Sequence, residues 1–411
     1  MQRLVYKRYL ELAVDALKSE DKKIAEDGKK MMEHFKTERA QVDTFWGKPP
    51  LNQGDRDAKK TPLHVRLSDV VGPGTKSCDL HLEPLVINGR SISKELMDLR
   101  RSYFDGERDL ETMDDLLVMN FIFTEKFLRE HFSEDIVSKL VPKADIPPLS
   151  PAQKQLVTSM VQLAKEKDGM KFKKSARQHS FSDDPLSRLF YELSQSHSLW
   201  DYKVADGRSG YTEFNTPTYQ WYYVDPFMQS FFRELDMALR RGAAITLPEK
   251  YRKAFFLLPM FGIYYHLTLL VVKLTKRDVK ERHRAKDERE LLFSMKTALD
   301  LLMKAKIKDP EVVGFLVRDS SMEIFSLGIR NEALYFPKLL GIMKIPRDHA
   351  DFECLIEGLP IMLAAQRIVA RTLEAVKERV PRTPIGTWPD HSVLDDDTEH
   401  PLCRSSFYIE D

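Results

Sequence analysis

The chain has little cysteine, with three residues among 411: Cys78, Cys354 and Cys403. So few cysteines, and an odd number of them, exclude a disulfide framework and indicate a reducing compartment. The N-terminus carries Glu11 and Asp15 and lacks a small-residue cleavage site, which is not typical of a signal peptide. We therefore predict an intracellular, cytoplasmic location.

Catalytic and cofactor motifs are also lacking. The sequence has no Gly-x-Ser-x-Gly, no His-Glu-x-x-His and no dinucleotide fingerprint, and residues 72–77 lack the spacing of a phosphate loop. We predict a non-catalytic protein without a cofactor. An enzyme whose site is built from scattered residues, such as His266 and the aromatic segment 199–232, stays open as an alternative.

A metal site has weak support. Two cysteines each have a histidine three positions away, and a zinc site would use Cys78, His81, His400 and Cys403. The two pairs are more than three hundred residues apart, so chance pairing is the better interpretation. We predict no metal.

Net charge is nearly absent, because 64 Lys and Arg face 63 Asp and Glu. The distribution is uneven, however: residues 1–150 carry −2, residues 151–350 carry +9 and residues 351–411 carry −6. The overall balance indicates no partner, but the basic middle of the chain favours a polyanion.

Long apolar runs are missing except at residues 254–272, which contain no charged residue. A helix that is apolar on every side is either a core helix or a membrane span, and a span needs about 20 residues. Pro259 and Gly262 interrupt the run, and no second segment resembles it. We predict a buried central helix and consider a membrane partner unlikely.

The remaining patterns predict a mainly α, multi-lobed helical protein around this central helix, with one small β-hairpin near residues 63–90. The predicted parts are an N-terminal helical arm (1–47), an N-terminal lobe with the hairpin and helices (48–146), a central and C-terminal helical lobe (147–380) and a flexible acidic tail (381–411). Within them we predict helices over 152–166, 227–241 and 352–380, a mobile loop over 168–185, and amphipathic stretches over 291–307 and 310–343.

The basic residues that follow the apolar run predict a binding surface. On a helix, Lys273, Arg277, Lys280 and Arg284 would fall on one face. The full set of predicted phosphate contacts is Lys171, Lys173, Lys174, Arg177, Arg240, Arg241, Lys273, Lys276, Arg277, Lys280 and Arg284. A solvated helix face is the alternative.

Aromatic residues in 199–232 could stack on RNA bases, with core packing as the alternative. We therefore predict a non-catalytic protein that binds RNA or another polyanion and assembles into a homo-oligomer or larger complex, like a helical nucleoprotein in organisation. The other alternative is a scaffold subunit of a larger complex, one that could be membrane-associated.

Overall fold

A six-stranded mixed β-sheet is the centre of the described part of the chain. The computed structural model describes residues 85–104, 113–166, 169–179, 183–195, 223–241, 260–264, 267–275, 281–318, 320–330 and 334–379. The chain divides into two compact units, Met1–Pro62 and Leu63–Asp411, and every described residue lies in the second.

The described helices are α1 (Ile92–Phe104), α2 (Met113–Met119), α3 (Glu125–His131), α4 (Glu134–Leu140), α5 (Pro151–Lys165), α6 (Gly169–Arg177), α7 (Pro185–Gln195), α8 (Asp225–Phe232), α9 (Glu281–Lys304) and α10 (Leu355–Arg379). A 3₁₀ helix, His349–Cys354, precedes α10. The strands are β1 (Val86–Ile87), β2 (Arg90–Ser91), β3 (Ala238–Arg241), β4 (Met260–Tyr264), β5 (Leu267–Leu274), β6 (Glu311–Arg318), β7 (Ser321–Arg330) and β8 (Leu334–Lys344).

The strands of the large sheet follow the order of the sequence, β3-β4-β5-β6-β7-β8. Neighbouring strands are antiparallel except β5 and β6, which are parallel. Parallel neighbours need a long crossover connection, and α9 is the helix of that crossover. The carboxyl ends of β5 and β6 therefore lie side by side next to the start of α9.

Helices cover both faces of the sheet. A Cβ added at Gly314 of β6 would collide with the Met295 side chain of α9, so α9 lies close against that face. The next residue, Phe315, points to the opposite face and makes an edge-to-face ring contact with Phe232 of α8 at 5.7 Å. On this second face Thr372 of α10 exchanges hydrogen bonds with the backbone of Glu311.

The predicted central helix over 254–272 is wrong. Its described residues, 260–264 and 267–272, belong to β4 and β5, which pair as an antiparallel hairpin. All eight residues of β5 are buried, because helices cover both of its faces. A strand buried on both faces is apolar at every position, and this produces the same uninterrupted pattern as a buried helix.

The predicted mainly α fold is also wrong, because apolar stretches that it treats as helices form the strands of a large sheet. The stretch 310–343 contains β6, β7 and most of β8, and the predicted helix over 227–241 is divided between α8 and β3. The fold is a mixed sheet between helical layers.

Some predictions of secondary structure hold. The predicted helix 152–166 is confirmed as α5, and 352–380 contains α10. The hairpin β1–β2 lies at the end of the predicted hairpin range, while residues 63–84 are outside the described residues. The predicted division into lobes stays a prediction.

Candidate functional site

The predicted basic stripe does not lie on one helix. Lys273 lies in strand β5, and Arg284 lies in α9, where its side chain is outside the described residues. Lys276, Arg277 and Lys280 belong to the segment between these elements, which is also outside the description. The helical geometry that grouped these residues is therefore wrong.

Lys273 is buried in an ionic cluster between the sheet and α9. Its side chain is 3% exposed, and its ammonium group donates a hydrogen bond to Glu290 and lies 3.7 Å from Asp287. The two carboxylates are three positions apart on α9 and so face the sheet together. Burial raises the pKa of the Asp287 carboxyl, although Lys273 opposes this shift.

A second ionic group lies on the neighbouring strand. Arg318, the last residue of β6, forms ion pairs with Glu288 of α9 at 3.0 Å and with Glu323 of β7 at 3.3 Å. Leu316, two residues before it, is the register partner of Lys273. Lys273 and Arg318 therefore point to the same face of the sheet, at the carboxyl ends of the two parallel strands.

A third group lies further along α9. The Lys296 side chain is fully buried, and its Nζ lies 2.7 Å from Asp300 and 4.6 Å from the centre of the Tyr335 ring. The Tyr335 hydroxyl donates a hydrogen bond to the same carboxylate. Burial raises the pKa of the Asp300 carboxyl against the influence of Lys296.

The first two ionic groups hold α9 on the sheet, and we call Lys273, Asp287 and Glu290 the buried network. Lys273 and the partly exposed Arg318 each already face two carboxylates. A phosphate would have to displace these carboxylates and would meet negative charge. We conclude that Lys273 does not belong to an open phosphate-binding surface.

Of the predicted contact residues whose side chains are described, the exposed ones lie on α6. This helix begins at Gly169, inside the stretch predicted as a mobile loop, and that prediction is wrong. Phe172 and Ala176 are buried one turn apart, and the Phe172 ring contacts Phe352 at 5.4 Å and Phe190 at 6.3 Å. These contacts explain how a short and strongly basic segment forms a helix on the protein surface.

The outer side of α6 is basic. Lys171, Lys174 and Arg177 are exposed, and we call these three residues the basic face. Lys173 is half-buried beside them. Lys171 lies 3.9 Å from Glu166, an exposed pair that contributes little to stability and does not remove the cation from solvent. The structure therefore brings together the first four predicted contact residues.

The other predicted residues are not grouped with them. Arg240 and Arg241 lie in β3, at one edge of the sheet order, with side chains outside the described residues. Cys78, His81, His400, Cys403 and His266 also lie outside the description. Of the aromatic segment 199–232, only residues 223–232 are described, and Tyr223, Phe227, Phe231 and Phe232 are all buried.

Comparisons with protein families, with curated proteins and with solved structures give no match. Across the described ranges, no helix is both long and apolar enough to cross a membrane. The same part of the chain contains no group of three or more His, Cys, Asp or Glu residues suited to a metal ion.

Sequence reasoning missed the buried network. One signal was present: Lys273 is the one charged residue in the strand sequence LTLLVVKL. Lys296 and Asp300 are four positions apart in a second apolar stretch, which is a spacing typical of a helical ion pair. A lone charge inside an apolar run indicates a buried partner, because an unpaired one would be strongly destabilising.

Proposed function

We propose that the protein binds RNA or another polyanion without catalysis, and that the basic face of α6 is a contact surface. The observation that carries the proposal is that α6 is anchored through Phe172 and Ala176 and leaves Lys171, Lys174 and Arg177 in solvent. Fixed cations on a helix attract phosphates and release counterions when they contact them.

The surrounding sequence supports the same proposal. Residues 150–180 contain seven Lys or Arg and two Asp or Glu. This segment includes α5 and α6, whose capping box at Ser150 and Gln153 fixes where the first helix begins. An intracellular location and assembly into a homo-oligomer or larger complex remain part of the proposal.

The experiment compares three proteins by fluorescence anisotropy with a labelled RNA of mixed sequence. The charge-reversed variant changes Lys171, Lys174 and Arg177 to Glu. In the matched control, two lysines and one arginine that are exposed outside α6 are changed to Glu, namely Lys94, Lys308 and Arg367. Both variants have the same net charge, so a difference between them reports the position of the cations and not their number.

We expect the charge-reversed variant to lose RNA binding and the control to keep most of it. The salt dependence of binding should also become flatter by about 2 units of log–log slope for a single strand, at about 0.7 units for each phosphate contact. Equal loss in both variants would mean that only net charge matters. Absence of binding by the wild type at low salt would contradict the proposal directly.

A second candidate function, an enzyme with a site outside the known motifs, is favoured by one observation. Lys273 and Arg318 lie at the carboxyl ends of β5 and β6, where open α/β sheets place their binding sites. A gel of the RNA probe after incubation tests this candidate. Cleavage by the wild type that is lost in Glu290→Gln, which keeps a polar partner for Lys273, would favour the enzyme.

A further inference from the structure

The basic face of α6 is a fixed surface. The inner side of the helix packs through the Phe172 ring, and the hydroxyl of Ser175 lies 3.8 Å from the sulfur of Met160 on α5. The three cations follow one another at about 4.5 Å along the helix axis, at about 1.5 Å per residue. A row of cations that is ordered in advance loses little conformational entropy on binding, so even a short acidic segment is a suitable ligand.

The acidic tail (381–411) carries the charge opposite to that of the basic face. It contains seven Asp or Glu and two Lys or Arg. Four of the acidic residues, which we call the acidic cluster, are Asp395, Asp396, Asp397 and Glu399. The tail lies outside the described residues, and this charge is a property of its sequence. Carboxylates and phosphates pair with the same lysine and arginine groups, so the acidic cluster and RNA suit the same surface.

The chain that connects the fold to the acidic cluster is long enough for the cluster to reach α6. The ring of Phe352, three residues before α10 begins, lies 5.4 Å from the ring of Phe172 on α6. From there α10 extends to Arg379 and spans about 36 Å at about 1.5 Å per residue. The sixteen residues from Arg379 to Asp395 can extend over roughly 55 Å. The acidic cluster can therefore reach back past the whole length of α10.

We propose that the acidic cluster binds the basic face of α6 in the same molecule and competes there with RNA. This inference rests on the proposed function, because RNA is the ligand that the tail opposes. Exposed ion pairs are individually weak, so the cluster would bind poorly as a separate peptide. Attachment to the same chain raises its local concentration to the order of mM, which favours the internal contact. A long RNA releases many counterions and displaces the tail, whereas weak anionic ligands do not.

The first test detects the contact in the complete 411-residue chain without RNA. A carbodiimide joins a lysine amine to a carboxylate where the two form a direct ion pair, and mass spectrometry identifies the joined residues. We expect crosslinks from Lys171 or Lys174 to the acidic cluster at low salt and their loss at high salt, because salt screens exposed pairs. Lys94 and Lys308, exposed outside α6, are the controls. Equal crosslinking of the cluster to all four lysines would reject a specific contact.

A mixture of isotope-labelled and unlabelled protein separates contacts within one molecule from contacts between molecules. We expect each crosslinked pair of peptides to carry a single isotope, because the acidic cluster is tethered to the helix that it binds. Pairs that join a labelled to an unlabelled peptide would place the tail on a neighbouring copy and overturn the internal contact.

The second test measures the effect of the tail on RNA binding. The tail-neutral variant carries Asp395→Asn, Asp396→Asn, Asp397→Asn and Glu399→Gln. Its matched control neutralises four exposed carboxylates in the described part of the chain, through Asp98→Asn, Asp145→Asn, Asp309→Asn and Glu378→Gln. The two variants lose the same number of negative charges, so a difference in their RNA affinity reports where the carboxylates lie.

We expect the tail-neutral variant to bind the mixed-sequence RNA about tenfold more tightly than its control. This change corresponds to a basic face that the tail occupies in about nine molecules of ten, since RNA then binds only the remaining tenth. The difference should shrink as salt is added, because salt also screens the tail contact. Equal RNA affinities of the two variants would reject the tail as a competitor.

The two tests separate this inference from the proposed function. Crosslinks from the acidic cluster to Lys171 or Lys174 in a protein that binds no RNA would keep the internal contact and reject the proposed function. RNA binding that charge reversal of the basic face abolishes, without these crosslinks and with equal affinities of the two variants, would keep the proposed function and overturn the internal contact.

Discussion

Lys273→Met should destabilise the protein strongly, although sequence reasoning placed Lys273 in an exposed binding stripe. The Lys273 side chain is 3% exposed, and its ammonium group faces Glu290 and Asp287, whose side chains are each 14% exposed. Removing it leaves two carboxylates close together with little access to water. Breaking a buried ion pair by removing one partner costs about 3–5 kcal/mol, and the partial exposure of the carboxylates favours about 3.

The assay is urea unfolding followed by circular dichroism. With a denaturant dependence of about 3 kcal/mol per molar urea, a loss of about 3 kcal/mol moves the midpoint down by about 1 M. The matched control is Lys308→Met, which removes an exposed lysine outside the helices and strands and should move the midpoint very little. Adding Asp287→Leu and Glu290→Leu to Lys273→Met should recover most of the loss, because an apolar replacement of a buried ion pair is often neutral.

The pH dependence of the same variant is a second check. The pKa of the Asp287 carboxyl is already raised by burial, and loss of Lys273 raises it further. The penalty for the charged carboxylate exists above this raised pKa and decreases as the pH falls through it, because the folded state then takes up a proton. The deficit of Lys273→Met should therefore be smaller at pH 5 than at pH 7. The buried network is refuted if Lys273→Met unfolds at the same urea midpoint as the wild type at pH 7, or if its loss of stability does not change with pH.

Two further predictions concern single side chains. Burial raises the pKa of the Glu192 carboxyl, because the charged form is less stable in the folded state. Glu192→Gln should therefore raise the melting temperature at pH 7, and this gain should shrink as the pH falls through the raised pKa. A gain that persists at low pH would contradict the prediction. Burial also raises the pKa of the Cys354 thiol to about 12. In a Cys78→Ser, Cys403→Ser background, iodoacetamide at pH 8 should label Cys354 roughly a thousandfold more slowly in the folded protein than in urea, because the thiolate is the reactive form. Rapid labelling of the folded protein would exclude this pKa.

Signals carried by a few adjacent residues were sufficient for some helices. The helix α5 begins at Pro151 after Ser150. The Ser150 side chain accepts a hydrogen bond from the backbone N–H of Gln153, and the Ser150 backbone N–H donates one to the Gln153 side chain. A cap and a proline in the first turn are readable from the sequence alone. The predicted range, 152–166, accordingly differs from the observed helix by one residue at each end.

The strands could not be predicted from the period of their apolar residues. The burial of β5 depends on α9 on one face and on α10 on the other, and none of these contacts is local in sequence. Two features of the run did favour strands, namely the β-branched pair Val271 and Val272 and the short length of each apolar part. The helix α6 was missed because its formation depends on Phe190 and Phe352, which are distant in the sequence.

The sign of a charge does not by itself assign a side chain to a binding surface. Lys273 and Lys174 both add to the excess of +9 in residues 151–350, yet the first is buried between carboxylates and the second is exposed opposite the core. Only a cation whose head group reaches a phosphate releases counterions, so the salt dependence of binding counts exposed cations and not all cations. Three of the eleven predicted contact residues are exposed in the described part of the chain, namely Lys171, Lys174 and Arg177. A slope that matches three contacts would identify α6 as the main binding surface, and a much steeper slope would require cations from the rest of the chain.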